Sequence, residues 1–155
     1  MPDAGFETFF REHHLRACRF ACALVGAAEA EDAVQEAFYR LYLRRGRLDG
    51  LDNPAAYFFR ILFNRCRTIL RRRQFRETVR GLFRTASSGG APDAALELRQ
   101  VWETLTPRER AVFVLMDYQG WTAAETGAAL GMAAATVRVH RHRLREKIQR
   151  WEATS

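Results

Sequence analysis

The sequence predicts an all-α chain of two small helical domains joined by a flexible linker, the C-terminal domain being a helix-turn-helix. Three observations predict it. Apolar residues recur at helical spacing along nearly all of the 155 residues, and no alternating run is long enough for a strand. One stretch of small residues, TASSGGAPDA from Thr85 to Ala94, interrupts that spacing. Beyond it lie two capping boxes, Thr106 with Glu109 and Thr122 with Glu125, each ahead of an apolar run. These place the first domain at 1–84, the linker at 85–93 and the second domain at 94–155.

The elements run in order. Phe6 to Val25 is the first helix, with Phe6, Phe9, Phe10, Cys18, Ala21, Cys22 and Val25 as its apolar residues and Gly26 as its stop. Glu29 to Arg45 is the second, with Val34, Ala37, Phe38, Leu41 and Tyr42 on one stripe, and Gly46 to Asn53 reads as a loop. Asn53 followed by Pro54 supplies an N-cap and a proline at the first helical position, opening a helix that runs to Gln74 or beyond. After the linker, periodicity resumes from Ala94 to Leu105. The first capping box, with Pro107, opens a helix to Tyr118, and the second opens a short helix ending at Leu130 and Gly131. The last helix lies within MAAATVRVHRHRLREKIQR, Met132 to Arg150. No internal repeat is evident.

A hydrophobic fraction of 48% with 12% aromatics is enough to build cores, so the chain is neither a disordered tail nor a peptide. Lysine and arginine exceed the acids by 25 to 18, and every cation but Lys147 is arginine. That balance favours an anionic partner, because arginine suits phosphates and base edges better than lysine does. Codon composition is the alternative source of the arginines. No apolar run approaches the ~18 residues of a membrane span, and no basic-then-apolar leader is present, so the expected location is cytoplasmic without membrane insertion. Three cysteines without framework spacing argue against a disulfide scaffold. His14, Cys18 and Cys22 share a helix face, yet the outer two lie about 12 Å apart along it, too far to hold one zinc together. Core-filling thiols are the expectation, with no metal or cofactor, although a two-ligand site completed from elsewhere stays open.

The last helix carries the first candidate site. At about 100° per residue, Val137, Leu144, Ile148 and Trp151 fall on one arc and should face inward. Opposite lie Arg138, Val139, His142, Arg143, Arg145 and Glu146. Guanidiniums and an imidazole on the exposed face of a helix that comes after a capped helix and a turn fit a major groove, where Val139 can meet a thymine methyl. A merely solvated face would carry more acids as i,i+4 pairs, and Glu146 is the only acid from Arg138 to Arg150.

The Pro54 helix carries the second. Phe58, Phe59, Leu62, Phe63, Cys66, Ile69 and Leu70 form its core arc, while Arg60, Asn64, Arg67 and Arg71 line the other, flanked by Arg65, Arg72, Tyr57 and Ile61. Cations for a backbone and flat surfaces for bases are what unstacked nucleotides need. Packing of Tyr57 and Ile61 against the loop before Asn53 is the equal alternative. Glu29, Glu31, Asp32 and Glu36 concentrate acids in a basic protein; helix-dipole stabilisation explains that by default, and a docking surface for a basic protein partner is the functional alternative.

EDAVQEAFYRLY, NPAAYFFRILFNRCRTILRRR and LTPRERAVFVLMDYQGWTAAETGAALGMAAATVRVHRHRLREKI, in this order, resemble the extracytoplasmic-function (ECF) sigma factors of bacterial RNA polymerase. The resemblance spans Phe6 to Arg150. It implies a dissociable initiation subunit with core RNA polymerase, promoter DNA and an anti-sigma factor as partners. By position it implies polymerase docking by Glu31, Asp32, Gln35 and Glu36. It implies capture of the minus-ten element by Arg60, Ile61 and Asn64, with Tyr57 in place of a usual tryptophan and Arg67 and Arg71 on the same face. The recognition helix is implied to read the minus-thirty-five element through Arg138, His142, Arg143 and Arg145, with Thr136 and Val139 counted to the same site. Phe63, Thr68 and His140 depart from the common pattern and leave the promoter sequence open. No Gly-rich phosphate loop or metal motif is present, so no enzyme is expected. A stand-alone helix-turn-helix regulator is the competing reading. A nonspecific RNA or membrane binder would explain the charge but not the capping boxes.

Overall fold

The computed structural model describes residues 3–81 and 94–154, excluding the side chains of 78–81 and 94–96; the predicted linker lies outside the described residues. The order is α1 (Asp3–Val25), α2 (Ala27–Leu43), a 3-10 segment (Arg45–Gly50), α3 (Pro54–Gly81), α4 (Ala94–Thr104), α5 (Pro107–Val112), a π-helical segment (Phe113–Tyr118), α6 (Ala123–Leu130) and α7 (Ala134–Thr154). There is no strand among the described residues.

The helix starts obey the local chemistry. Asn53 Oδ1 accepts from the Ala56 amide at 3.0 Å, capping α3 ahead of Pro54. Both capping boxes close, Thr106 with Glu109 and Thr122 with Glu125. Gly131, at φ 71°, ends α6 in the left-handed conformation that a side chain resists. Two expectations need correction. The predicted loop from Gly46 is a 3-10 turn, wound so that Leu48 is buried at 1% exposure. The helix predicted from Thr106 to Tyr118 reaches that end but changes pitch at Phe113, where π-helical bonding takes over.

The core of α1–α3 is aromatic. Phe20, Phe58, Phe59 and Phe63 are fully buried; Phe38 stacks on Phe58 at 4.3 Å, and Phe20 meets Phe59 edge-on at 5.4 Å. The inward stripe of α1 is Phe9, Ala17, Phe20, Ala21 and Leu24. Cys22, expected inside, is therefore exposed; Cys18 is half-buried and only Cys66 is buried. In the C-terminal half Val137 and Leu144 are fully buried, with Ile148 and Trp151 half-buried, as the helical wheel predicts.

The two halves pack against each other. Trp121, just before α6, meets Phe59 of α3 edge-on at 5.1 Å. Trp102 Nε1 donates to the Ala23 carbonyl at 2.9 Å, and Gln119 Nε2 donates to the Arg16 carbonyl at 3.2 Å. Buried side chains from both halves form one continuous cluster.

Candidate nucleic-acid interface

On α7, Thr136, Arg138, Val139, His142, Arg143 and Arg145 are all exposed, with Val139 at 48%. Their common direction comes from the burial of Val137 and Leu144 beneath them. Among the described residues no carboxylate pairs with Arg138 or Arg143. His142 Nε2 lies 3.0 Å from Glu146, one turn on. Half-buried His140 is held below the ordinary imidazole range by burial and then by neighbouring Arg143, so it stands as a neutral ring at physiological pH. Two cations of α7 point elsewhere. Lys147 donates to Glu109 Oε1 at 2.8 Å, and Arg141 donates to Asp117 at 2.6 Å. Arg145 also reaches Asp117, at 3.3 Å, while remaining exposed.

On α3 the candidates divide. Asn64 and Arg71 are exposed, and half-buried Arg67 sits 5.6 Å over the Phe63 ring. Burial and then the neighbouring Arg108 and Arg71 lower the proton affinity of Arg67, which places cations of α3 and α5 side by side. Tyr57 is half-buried, and its hydroxyl accepts from Arg44 at 3.3 Å, next to the turn that precedes Asn53. Arg60 donates to the Ala128 carbonyl of α6 at 2.8 Å, and Ile61 is buried at 7% exposure. The expected open face is therefore open only in part, because α6 lies across α3 here.

On α2, Glu31, Asp32 and Gln35 are exposed, with Gln35 Nε2 donating to Glu31 at 3.4 Å. Half-buried Glu36 takes Arg40 at 2.7 Å and Arg65 of α3 at 2.6 Å, which locks its carboxylate. Tyr39 and Leu43, each 62% exposed, prolong the stripe of Asp32, Gln35 and Glu36 at helical spacing. Sequence reasoning missed these two, although i+3 and i+4 spacing from Glu36 and Tyr39 points to them. It also missed Asp117, whose partners lie 24 and 28 residues away.

Fold and surfaces together define a two-part helical protein whose C-terminal part is a helix-turn-helix with a basic second helix. Residues 9–76 match the Sigma-70 region 2 family, and residues 95–148 match Sigma-70, region 4. An RNA polymerase sigma-E factor of Streptomyces avermitilis is 33% identical over 156 residues, covering 93% of this chain and 85% of its own length. The ECF RNA polymerase sigma factor SigM of Mycobacterium tuberculosis is 28% identical over 149 residues, covering 94% of this chain and 76% of its own. Among solved structures, the sigma factor RpoE in complex with the anti-sigma factor NepR from Bartonella quintana superposes with a TM-score of 0.72 at 22% identity, over 95% of this chain and 98% of that one. CnrH in complex with the cytosolic domain of CnrY gives 0.67 at 26% identity, over 97% and 88%. The chain belongs to the extracytoplasmic-function sigma factors of RNA polymerase. It is a sigma subunit, a regulatory component that directs promoter-specific transcription, and the stand-alone regulator reading is not favoured. Among the described residues no helix is long and apolar enough to cross a membrane.

Proposed function

We propose that three surfaces divide the work of this sigma subunit. The α7 face of Thr136, Arg138, Val139, His142, Arg143 and Arg145 reads the minus-thirty-five duplex. The α3 face of Tyr57, Arg60, Ile61, Asn64, Arg67 and Arg71 captures the minus-ten strand. Glu31, Asp32, Gln35 and Glu36 of α2 dock on core RNA polymerase. The domains serving these roles are 1–84 and 94–155, with 85–93 as the tether. Bond-making belongs to the polymerase, and the protein works in the cytoplasm beside the DNA. An anti-sigma factor is its antagonist, in keeping with the complex in which RpoE was solved.

One observation carries the division: the exposed acids Glu31 and Asp32 on α2 and, on α7, the exposed Arg138 and Arg143, which pair with no carboxylate among the described residues, belong to one chain. Phosphate repels the first surface and attracts the second, so the two suit different partners. The test is reconstitution of the full chain with purified core polymerase on a genomic promoter library. Asp32→Arg combined with Glu36→Arg should weaken core binding at least about tenfold, or ~1.4 kcal/mol. Asp32→Arg alone, which leaves the Arg65 ion pair whole, should show most of the effect. Wild-type affinity in both variants would overturn the docking assignment. A full chain that footprints duplex DNA alone and gives no specific initiation with core would return the stand-alone regulator.

A further inference from the structure

Asp117 lies in the π-helical segment Phe113–Tyr118. The Gln119 amide donates to the Val114 carbonyl and the Trp121 amide to the Leu115 carbonyl, both at 2.8 Å, so the chain takes more residues per turn than an α-helix does. Each extra residue rotates the succeeding side chains by about 100° against an uninterrupted helix. In that setting the Asp117 carboxylate faces α7. Its Oδ1 accepts from Arg141 Nη2 at 2.6 Å and from Arg145 Nη2 at 3.3 Å. The Asp117 side chain is 21% exposed, while Arg145 keeps 55%.

We infer that Asp117 is a positioning residue for promoter reading, fixing the Arg145 guanidinium from behind and holding Arg141 back from the phosphates. This rests on the assignment of the α7 face to the minus-thirty-five duplex. An arginine side chain is rich in rotamers, and ordering it at the moment of binding works against recognition. Anchoring one Nη leaves the rest of the fork free to meet a base edge in a set geometry. The same carboxylate offsets charge. Two guanidiniums sharing one anion present about one net positive charge to the duplex instead of two, and sequence-independent binding scales with the phosphates neutralised. Asp117 thus lowers affinity for DNA in general and sharpens the choice among sequences.

The test uses the full chain with core polymerase on promoters randomised over the upstream hexamer, together with salt titrations of binding to a non-promoter duplex. Asp117→Asn should reduce discrimination between the best and scrambled hexamers about tenfold. It should also steepen the salt dependence by roughly one to two phosphate contacts, ~0.9 in slope for each. Asp117→Glu should restore both. In an Arg145→Ala background, Asp117→Asn should leave discrimination unmoved, because the partner it acts through is gone. A carboxylate that only braced the domain would lower binding to every sequence, leave the slope alone and add to Arg145→Ala. Equally sharp selection by Asp117→Asn with an unchanged slope overturns the inference, as does additivity in the cycle. If Asp117→Asn fails to fold, Arg141→Ala decides: freeing the carboxylate for Arg145 alone should preserve selection, and loss of selection overturns the inference. A wild-type holoenzyme that selects no upstream sequence removes the α7 assignment itself, an outcome distinct from selection shared by wild type and variant.

Discussion

Lys147 is the one lysine of the chain, set in a helix otherwise armed with arginine, and it faces inward. Its Nζ donates to Glu109 Oε1 at 2.8 Å and to the Thr104 carbonyl at 3.0 Å. A compact ammonium with rotatable donors can serve both acceptors at once. Glu109 is only 3% exposed and already serves the capping box of α5, so this pair ties the start of α5 to α7. Burial pushes its carboxyl up, but hydrogen bonds from Lys147 and Thr106 outweigh burial and hold it below the ordinary carboxylate range. The ion pair therefore contributes fully above the unfolded value of about pH 4.3 and is lost as pH falls through the lower folded value. Lys147→Met should destabilise the chain by about 2 kcal/mol at neutral pH, since a buried carboxylate loses a charged donor. Urea unfolding at stepped pH should show that deficit shrinking once Glu109 protonates; a deficit equal at pH 7 and at the acid end would refute the pairing as its cause.

Gly127 on α6 shows how an element is held. A Cβ there would run into the backbone carbonyl oxygen of Met132, whose amide donates to the Gly127 carbonyl at 3.0 Å. Alanine raises helix propensity by about 1 kcal/mol over glycine, whereas overpacking against backbone costs about 1–3 kcal/mol. Steric cost wins, so Gly127→Ala should lower the melting temperature by roughly 2–4 °C and shift α7 relative to α6; a higher midpoint would refute the close approach. Sequence reading reached the helix ends because caps are local: Asn53 before Pro54 and the two capping boxes each lie within four residues. It reached the faces of α3 and α7 because helical periodicity orders them. The pitch change at Phe113 escaped it, since no residue there breaks the helical pattern and the Asp117 contact that accompanies it is with α7, 24 residues on. Cys22 escaped it too, because an apolar periodicity admits two neighbouring arcs and only the packing of Phe20 and Leu24 selects one.

At the scale of the whole molecule, the closed packing stands against the proposed division of promoter reading between the two halves. Arg60 touches Ala128, three residues before the Gly131 turn that leads into α7. The two promoter elements, named for positions minus ten and minus thirty-five, lie about 25 base pairs and so about 85 Å apart along a duplex. The 21 residues of α7 span only about 30 Å. If α3 captures the minus-ten strand and α7 reads the minus-thirty-five duplex, as proposed, then the closed form, with Arg60 against α6 and Ile61 covered, has to open for both elements to be engaged. What holds them is the apolar cluster shared by both halves, within it an edge-on aromatic pair of a kind that contributes about 0.5–1.5 kcal/mol, together with hydrogen bonds to the Ala23, Arg16 and Ala128 carbonyls. Arg16 and Gln119 bridge the halves without belonging to a candidate DNA face. Arg16→Cys with Gln119→Cys, joined by a short reducible linker, should therefore lock the chain shut. Cys18→Ser and Cys22→Ser remove the accessible thiols, and Cys66 stays inert because burial pushes its thiol up to about 12. Initiation by the linked protein with core polymerase should fall at least about tenfold and return on reduction. A linked protein that initiates as fast as the reduced one would mean that the promoter is read without opening.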